Sequence, residues 1–242
     1  MQFDPAVIRE LAPTGVLRAA LNLGNAVLAH SRTSTERPAG VTIDLARELG
    51  RRLGLAVTFS EFDKPGKALA AVSGEQADIG FLAVDPERAQ GVSFTSPYVQ
   101  IEGSYLVPED SPIRRNEEVD APGMRVVVGS SSAYELFLKR HLQHAELVRV
   151  DKSGLVVDAM LEQGHPVAAG VRQQLEKDAA RVGGVRVLDG RFMVIEQAMV
   201  QPRSRSAAAR ELLSAFVQDM KRSGFVAAAL ARHGITGAKV AD

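Results

Sequence analysis

The stretch DIGFLAVDPERAQGVSFTSPY, Asp78 to Tyr98, decides how the rest of the chain is read. From Ile79 to Val84 every residue is apolar or glycine, which is the pattern of a short strand buried on both faces. A Pro-Glu turn then carries Arg88 away from the strand, and an extended run ends on Ser96-Pro97-Tyr98. An arginine at the end of a buried strand has two readings. It is a turn charge paired with Glu87 or Asp85 at the surface, or a planar fork that grips an anion. The residues of the turn alone leave both open.

The segments around this stretch repeat its grammar. PTGVLRAALNL reads as a helix end, a turn at Pro13-Thr14-Gly15 and a strand from Val16 to Leu21. In GVTIDLARELGRRLGLAVTFSEF, Ile43, Leu45, Ala46, Leu49 and Leu53 form a helical apolar stripe, and Ala56 to Phe59 turns to strand. A helix through Ala68 to Val72 then leads into the opening stretch. Alternating helices and strands predict a parallel sheet with right-handed crossovers, so the fold class is α/β.

After Tyr98 the chain stays extended through IEGSYLVPEDSP. GMRVVVGSSSAYELFLKRHLQHAELVRV then reads as strand, Ser-rich turn, helix and strand. A helix over about 154–163 leads to the short strand PVAAGV, and GVRVLDGRFMVIEQAMVQP returns extended. The tail from Ala207 to His233 reads as helical, with RSRSAAAR as its start. A middle block that opens and closes on extended crossings predicts two lobes, residues 1–102 with 193–242 and residues 103–192. Ligands of such folds sit at the carboxyl ends of strands.

Composition removes several classes of function. Lys plus Arg equals Asp plus Glu at 29 each, so bulk charge steers the chain toward neither nucleic acid nor an anionic membrane. With no cysteine there is no disulfide, zinc-thiolate site, iron–sulfur cluster or thiol nucleophile. The N-terminus lacks a basic segment followed by an apolar run, and no stretch has the length of a membrane span. As it stands the sequence reads as cytoplasmic, and as periplasmic if a leader has been removed. His141 and His144, three apart beside Lys139 and Arg140, read as a solvated helix face rather than a metal pair. Gly183-Gly184 and Gly190 lack dinucleotide-loop spacing, and GSSSA is not a nucleophile elbow. No cofactor and no metal are expected. Low aromatic content, 5% with no tryptophan, argues against an aromatic cage for a quaternary ammonium.

With that layout in place, the opening stretch resembles the signature of the type II solute-binding proteins of ABC transporters, in particular the polar amino acid-binding family 3. The matching residues are Asp78-Ile79, Pro86-Glu87-Arg88, Val92-Ser93-Phe94 and Ser96-Pro97-Tyr98. Gly40-Val41 with Asp44-Leu45, and Ser223-Gly224-Phe225, match the family elsewhere in the chain. The resemblance implies a two-lobe periplasmic-binding-protein-like fold with two hinge crossovers that closes on a ligand, and it implies that Arg88 holds the ligand's carboxylate. It also implies a contact from Ser132, with Ser131 beside it, at the turn before a helix; capping of that helix is the alternative.

Three positions depart from the family. Ala83 stands where a Ser or Thr usually helps hold the carboxylate, and Asn25 where an aromatic usually stacks on the ligand. The Asp that pairs with an α-amino group falls at or near Gly170. Glu196 is the acid nominated in its place, or else a solvent-facing residue of the returning crossover. Arg172 is a second basic candidate, or a helix-end surface charge; with both arginines in the site, a ligand with two acidic groups fits. Phe81 lines the pocket or belongs to the core. The expectation is a solute-binding protein for a small carboxylate, an organic acid or an atypical amino acid. Its partner would be an ABC transporter permease, with no nucleic acid and no membrane insertion. The alternatives are an enzyme of the cyclohexadienyl dehydratase type with Glu196 as its acid, and a cytoplasmic ligand sensor without catalysis.

Overall fold

The computed structural model describes residues 4–30 and 38–242. Its contacts divide the chain into two units: Met1–Gln100 with Glu196–Asp242, and Ile101–Ile195.

The first unit opens with α1 (Pro5–Leu11), β1 (Val16–Asn22), α2 (Val41–Leu53), β2 (Ala56–Phe62), α3 (Pro65–Ser73) and β3 (Ile79–Ala83). β4 (Val92–Pro108) begins in this unit and leads out of it. β1 runs parallel to β2, from Val16 opposite Ala56 to Asn22 opposite Phe62. On its other side β1 is parallel to β3, with Ala19 opposite Ile79. Local chemistry sets the helix ends. Asp4 caps α1 by accepting the Ala6 N–H at 2.8 Å, with Pro5 at the first helical position. Gly54, at φ 69°, closes α2 in the left-handed conformation that glycine adopts freely.

Asp78, just ahead of β3, is fully buried. Its carboxylate accepts the Arg18 backbone N–H at 2.9 Å, the Arg18 Nε at 3.1 Å and Nη2 at 2.6 Å. Arg205 adds a cation at 3.8 Å. The first residue of the deciding stretch is thus a strut that ties β1 to the start of β3. The core beneath packs α3 on the sheet through Ala68, Ala71, Val72, Leu82 and Val200. Gly80 is part of that packing, since a Cβ there would lie 2.8 Å from Val72 Cγ2.

The second unit continues β4 and adds β5 (Arg125–Gly129), α4 (Ala133–His141), β6 (Glu146–Val150), α5 (Val156–Glu162), β7 (Val167–Val171), α6 (Arg172–Val182) and β8 (Val185–Val187). β5 lies parallel to both β6 and β7, and β7 pairs antiparallel with β4, Gly103 opposite Val171. Leu106, Val127, Val157, Met160, Ala168 and Leu175 form its core. The chain returns on β9 (Met193–Pro202), which in the first unit pairs antiparallel with β3, Phe81 opposite Met199 and Ala83 opposite Gln197. α7 (Ala207–Arg222), α8 (Phe225–Arg232) and β10 (Lys239–Val240) follow, and β10 pairs with β4 at Val99 and Gln100.

Three local expectations need correction. The helical tail is two helices, because Gly224 at φ 77° interrupts it. The helix expected from 154 starts at Val156, after a 3-10 turn over Ser153–Leu155. His141 and His144 do not share a helix. α4 ends at His141, and the Asp120 carboxylate captures the N–H groups of Gln143, His144 and Ala145 at 2.9, 2.8 and 2.9 Å. Among the described residues no group of three or more His, Cys, Asp or Glu is arranged for a metal, and no helix is long and apolar enough to cross a membrane.

Candidate functional site

In the first unit the candidate residues gather at the carboxyl ends of β1 and β3. Arg88 opens a single 3-10 turn, Arg88–Gln90, and is only 4% exposed. Its Nη1 donates to the Ala83 carbonyl at 3.0 Å, across the turn it terminates. The turn folds around Asp85, itself buried, whose carboxylate accepts the Glu87 N–H at 2.8 Å and the Arg88 N–H at 3.4 Å. A solvated turn charge does not describe this residue. Because a guanidinium keeps its proton even when desolvated, the turn sets a fixed cation at the end of β3.

Ala83 contributes its carbonyl to that anchor rather than a side chain. Phe81 is 2% exposed and packs edge-on against Tyr98 at 6.2 Å, as a core aromatic does. Glu196 is exposed, and β9 brings it to the same end of β3: its main-chain oxygen accepts the Val84 N–H at 2.8 Å. Its carboxylate accepts from Gln100 Nε2 at 3.2 Å. Asn25 lies in the turn after β1. Its N–H donates to the Asn22 oxygen at 3.2 Å, and its own carbonyl accepts the N–H groups of Leu28 and Ala29, both at 3.1 Å. Its side-chain Oδ1 is buried and, among the described residues, has no hydrogen-bond partner.

In the second unit the candidates follow β5 and β7, which are parallel neighbours. Ser132 is the N-cap of α4, its Oγ accepting the Glu135 N–H at 3.0 Å. Tyr134, whose hydroxyl burial makes harder to ionise, hydrogen-bonds the side chains of Ser153 and Ser132. Ser131, ahead of the cap, is exposed and held at φ 61°. The whole turn is crowded: a Cβ on Gly129 would meet Ser153 Oγ, lie 2.8 Å from Ser153 Cα and lie 2.9 Å from the Tyr134 hydroxyl.

Gly170 sits inside β7, and a Cβ there would lie 3.0 Å from Leu175 Cδ2, so its side-chain direction leads into the core of the unit. Arg172 is the first residue of α6, directly beyond β7. Its Nε donates to Glu102 at 3.1 Å, its Nη2 to the Gly190 carbonyl, and its Nη1 faces Glu176 at 3.7 Å. Glu102 also accepts from Arg191 at 2.8 Å. Burial pushes the Glu102 carboxyl up, but Arg191 and Arg172 outweigh it and hold the group below its ordinary value. Arg172 is therefore a braced strut and not a loose helix-end charge.

Sequence reasoning did not find Glu102, Arg191, Tyr134 or Gln100, the residues that hold the nominated ones in place. Glu102 lies 70 positions from Arg172 and 89 from Arg191, so no local pattern marks the cluster.

The model of the bacterial extracellular solute-binding proteins, family 3, matches residues 25–235. No curated protein matches the chain. Among solved structures, a solute receptor for L-cysteine from Neisseria gonorrhoeae superposes with TM-score 0.81 at 17% identity, covering 95% of this chain and 94% of that one. An amino acid ABC transporter substrate-binding protein from Streptococcus pneumoniae, bound to L-arginine, gives 0.78 at 19% identity, covering 92% and 96%. An ancestral amino acid-binding protein, described as a precursor of cyclohexadienyl dehydratase, gives 0.78 at 18% identity, covering 93% and 97%. These likenesses carry the type II periplasmic-binding-protein-like fold expected from the sequence. With the family model extending from the turn after β1 to the end of α8, the chain belongs to the bacterial extracellular solute-binding proteins, family 3.

Proposed function

We propose that this protein captures a small carboxylate for an ABC transporter permease, and that the solute is an organic acid or an atypical amino acid rather than one held by its α-ammonium. The observation that carries the reading is Arg88, a buried guanidinium oriented by the Ala83 carbonyl at the carboxyl end of β3. A fork fixed in that way grips a carboxylate with little further loss of side-chain freedom.

The solved relatives bind L-cysteine and L-arginine, both with an α-ammonium. Several features support a different second group here. Gly170 has no side chain, and its direction is filled by Leu175. The next polar side chain past β7 is Arg172, a cation. An ammonium desolvated without a carboxylate is costly. Work with a permease requires delivery across the inner membrane, and we propose that location; fractionation of the native host tests it against the cytoplasmic sensor.

Thermal shift with matched pairs, each amino acid beside the same acid without its amino group, tests the ligand class. Stabilisation by the des-amino acids that is lost in Arg88→Ala supports the reading. Stabilisation by amino acids alone overturns it and assigns the ammonium to Glu196 or another acid. One observation favours a second reading, that of a dehydratase: Glu196 stands at the same end of β3 as Arg88. Steady turnover of a prephenate-like acid, abolished in Glu196→Gln, would replace the transport role with that one.

A further inference from the structure

Asn25 is a residue of the first unit whose chemistry the carboxylate anchor leaves unused. The turn that carries it is fully determined: Leu23 donates to the Phe62 carbonyl at 2.8 Å, and Gly24 to the Asn22 side chain at 3.1 Å. A Cβ on Gly24 would lie 3.0 Å from both Asn22 Oδ1 and the Asp63 carbonyl, so the turn is closely packed at that position. With its main chain pinned in this way, Asn25 turns an amide oxygen away from water and gives it no donor among the described residues. Buried acceptors in native proteins are paired as a rule, and an orphan beside a binding face calls for an explanation. The residue as a whole is only partly covered, and the terminal torsion of asparagine is soft. A donor brought against the turn can therefore claim that oxygen.

β1 and β3 are adjacent parallel strands, about 4.8 Å apart, and Asn25 and Arg88 follow their carboxyl ends, at the same end of the sheet. We propose that Asn25 reads a neutral hydrogen-bond donor, a hydroxyl, on the same ligand whose carboxylate Arg88 holds, so that the solute class is a hydroxy acid. The inference rests on the Arg88 reading. Asn25 is suited to this donor because a neutral amide oxygen satisfies the single O–H of a hydroxyl, whereas an ammonium calls for a carboxylate.

The test is calorimetric titration of the whole protein with three probe series: lactate, alanine and propionate; malate, aspartate and succinate; and 2-hydroxy-4-methylpentanoate, leucine and 4-methylpentanoate. In the wild type, one hydroxy acid binds about tenfold tighter than its deoxy partner, equivalent to about 1.4 kcal/mol. Asn25→Ala brings that preference to within about twofold, by loss of one hydrogen bond. Asn25→Asp, of the same shape and still an acceptor, keeps it and gains affinity for the amino acid of the series. Equal binding of hydroxy and deoxy acids by the wild type overturns the inference, as does a preference that survives in Asn25→Ala. Arg88→Ala separates the two readings: acids bound equally well by that variant sink the carboxylate anchor, whatever Asn25 does. Failure of all nine probes to bind the wild type overturns both.

Discussion

Replacing Arg88 by lysine keeps the charge and removes the fork, which makes it the sharpest test of the site. In the structure, Nη1 is fixed to the Ala83 carbonyl at 3.0 Å, and this bond sets the plane in which the guanidinium meets a ligand. A lysine ammonium has one nitrogen, which serves either that carbonyl or the carboxylate in good geometry. One charge-assisted hydrogen bond is lost, about 1.5–3 kcal/mol. The dissociation constant for the best-bound acid then rises roughly 10- to 150-fold. The unliganded fold loses much less, about 1 kcal/mol, because the cation and one donor remain. That corresponds to about 2–4 °C in melting temperature for a chain of this size. Titration calorimetry with the acid and its carboxamide analogue, beside a melt of each unliganded protein, reads both numbers. Affinity in folded R88K within about threefold of the wild type, on the scale of weakly held surface charges, would refute the claim that a fork holds the ligand.

Asp78→Ala strips a fully buried carboxylate from Arg18 and Arg205. It should cost about 3–5 kcal/mol, lowering the melting temperature by roughly 6–20 °C; a fall under 3 °C would show that Asp78 is not a strut. Glu102→Gln should destabilise the protein most at neutral pH. The Glu102 carboxyl is held below its ordinary value, so its contribution is full above about pH 4.3 and lost as pH falls through the lowered folded value. Melts from pH 7 to pH 3 should show the gap between variant and wild type closing below that point, and a gap that widens instead contradicts the assignment. Gly129→Ala forces a methyl against Ser153 and Tyr134, and should destabilise by about 1–3 kcal/mol. Chemical denaturation checks it, and an unchanged midpoint would mean that the turn before α4 is looser than described.

The sequence by itself determined what local physics controls. Apolar continuity from Ile79 to Val84 made β3 a buried strand, helical spacing from Ile43 to Leu53 made α2, and the order of elements made β1, β2 and β3 parallel neighbours, although the antiparallel pairing of β9 with β3 makes the whole sheet mixed. The Pro-Glu turn and the SPY ending also marked Arg88 before any contact was known. What needed the tertiary structure was every property that depends on residues far apart in the chain. Whether Arg88 is buried, which acid braces Arg172, and where the side-chain direction at Gly170 leads are settled by Ala83, Glu102 and Leu175 meeting them in space. His144 left its helix because Asp120, more than twenty residues earlier, captured its N–H and those of its neighbours Gln143 and Ala145. Secondary structure follows from hydrogen bonds and side-chain periods over a few residues, so it is written locally. Burial and pairing of charges arise only when distant strands and loops close on one another, and those interactions decide what a site can hold.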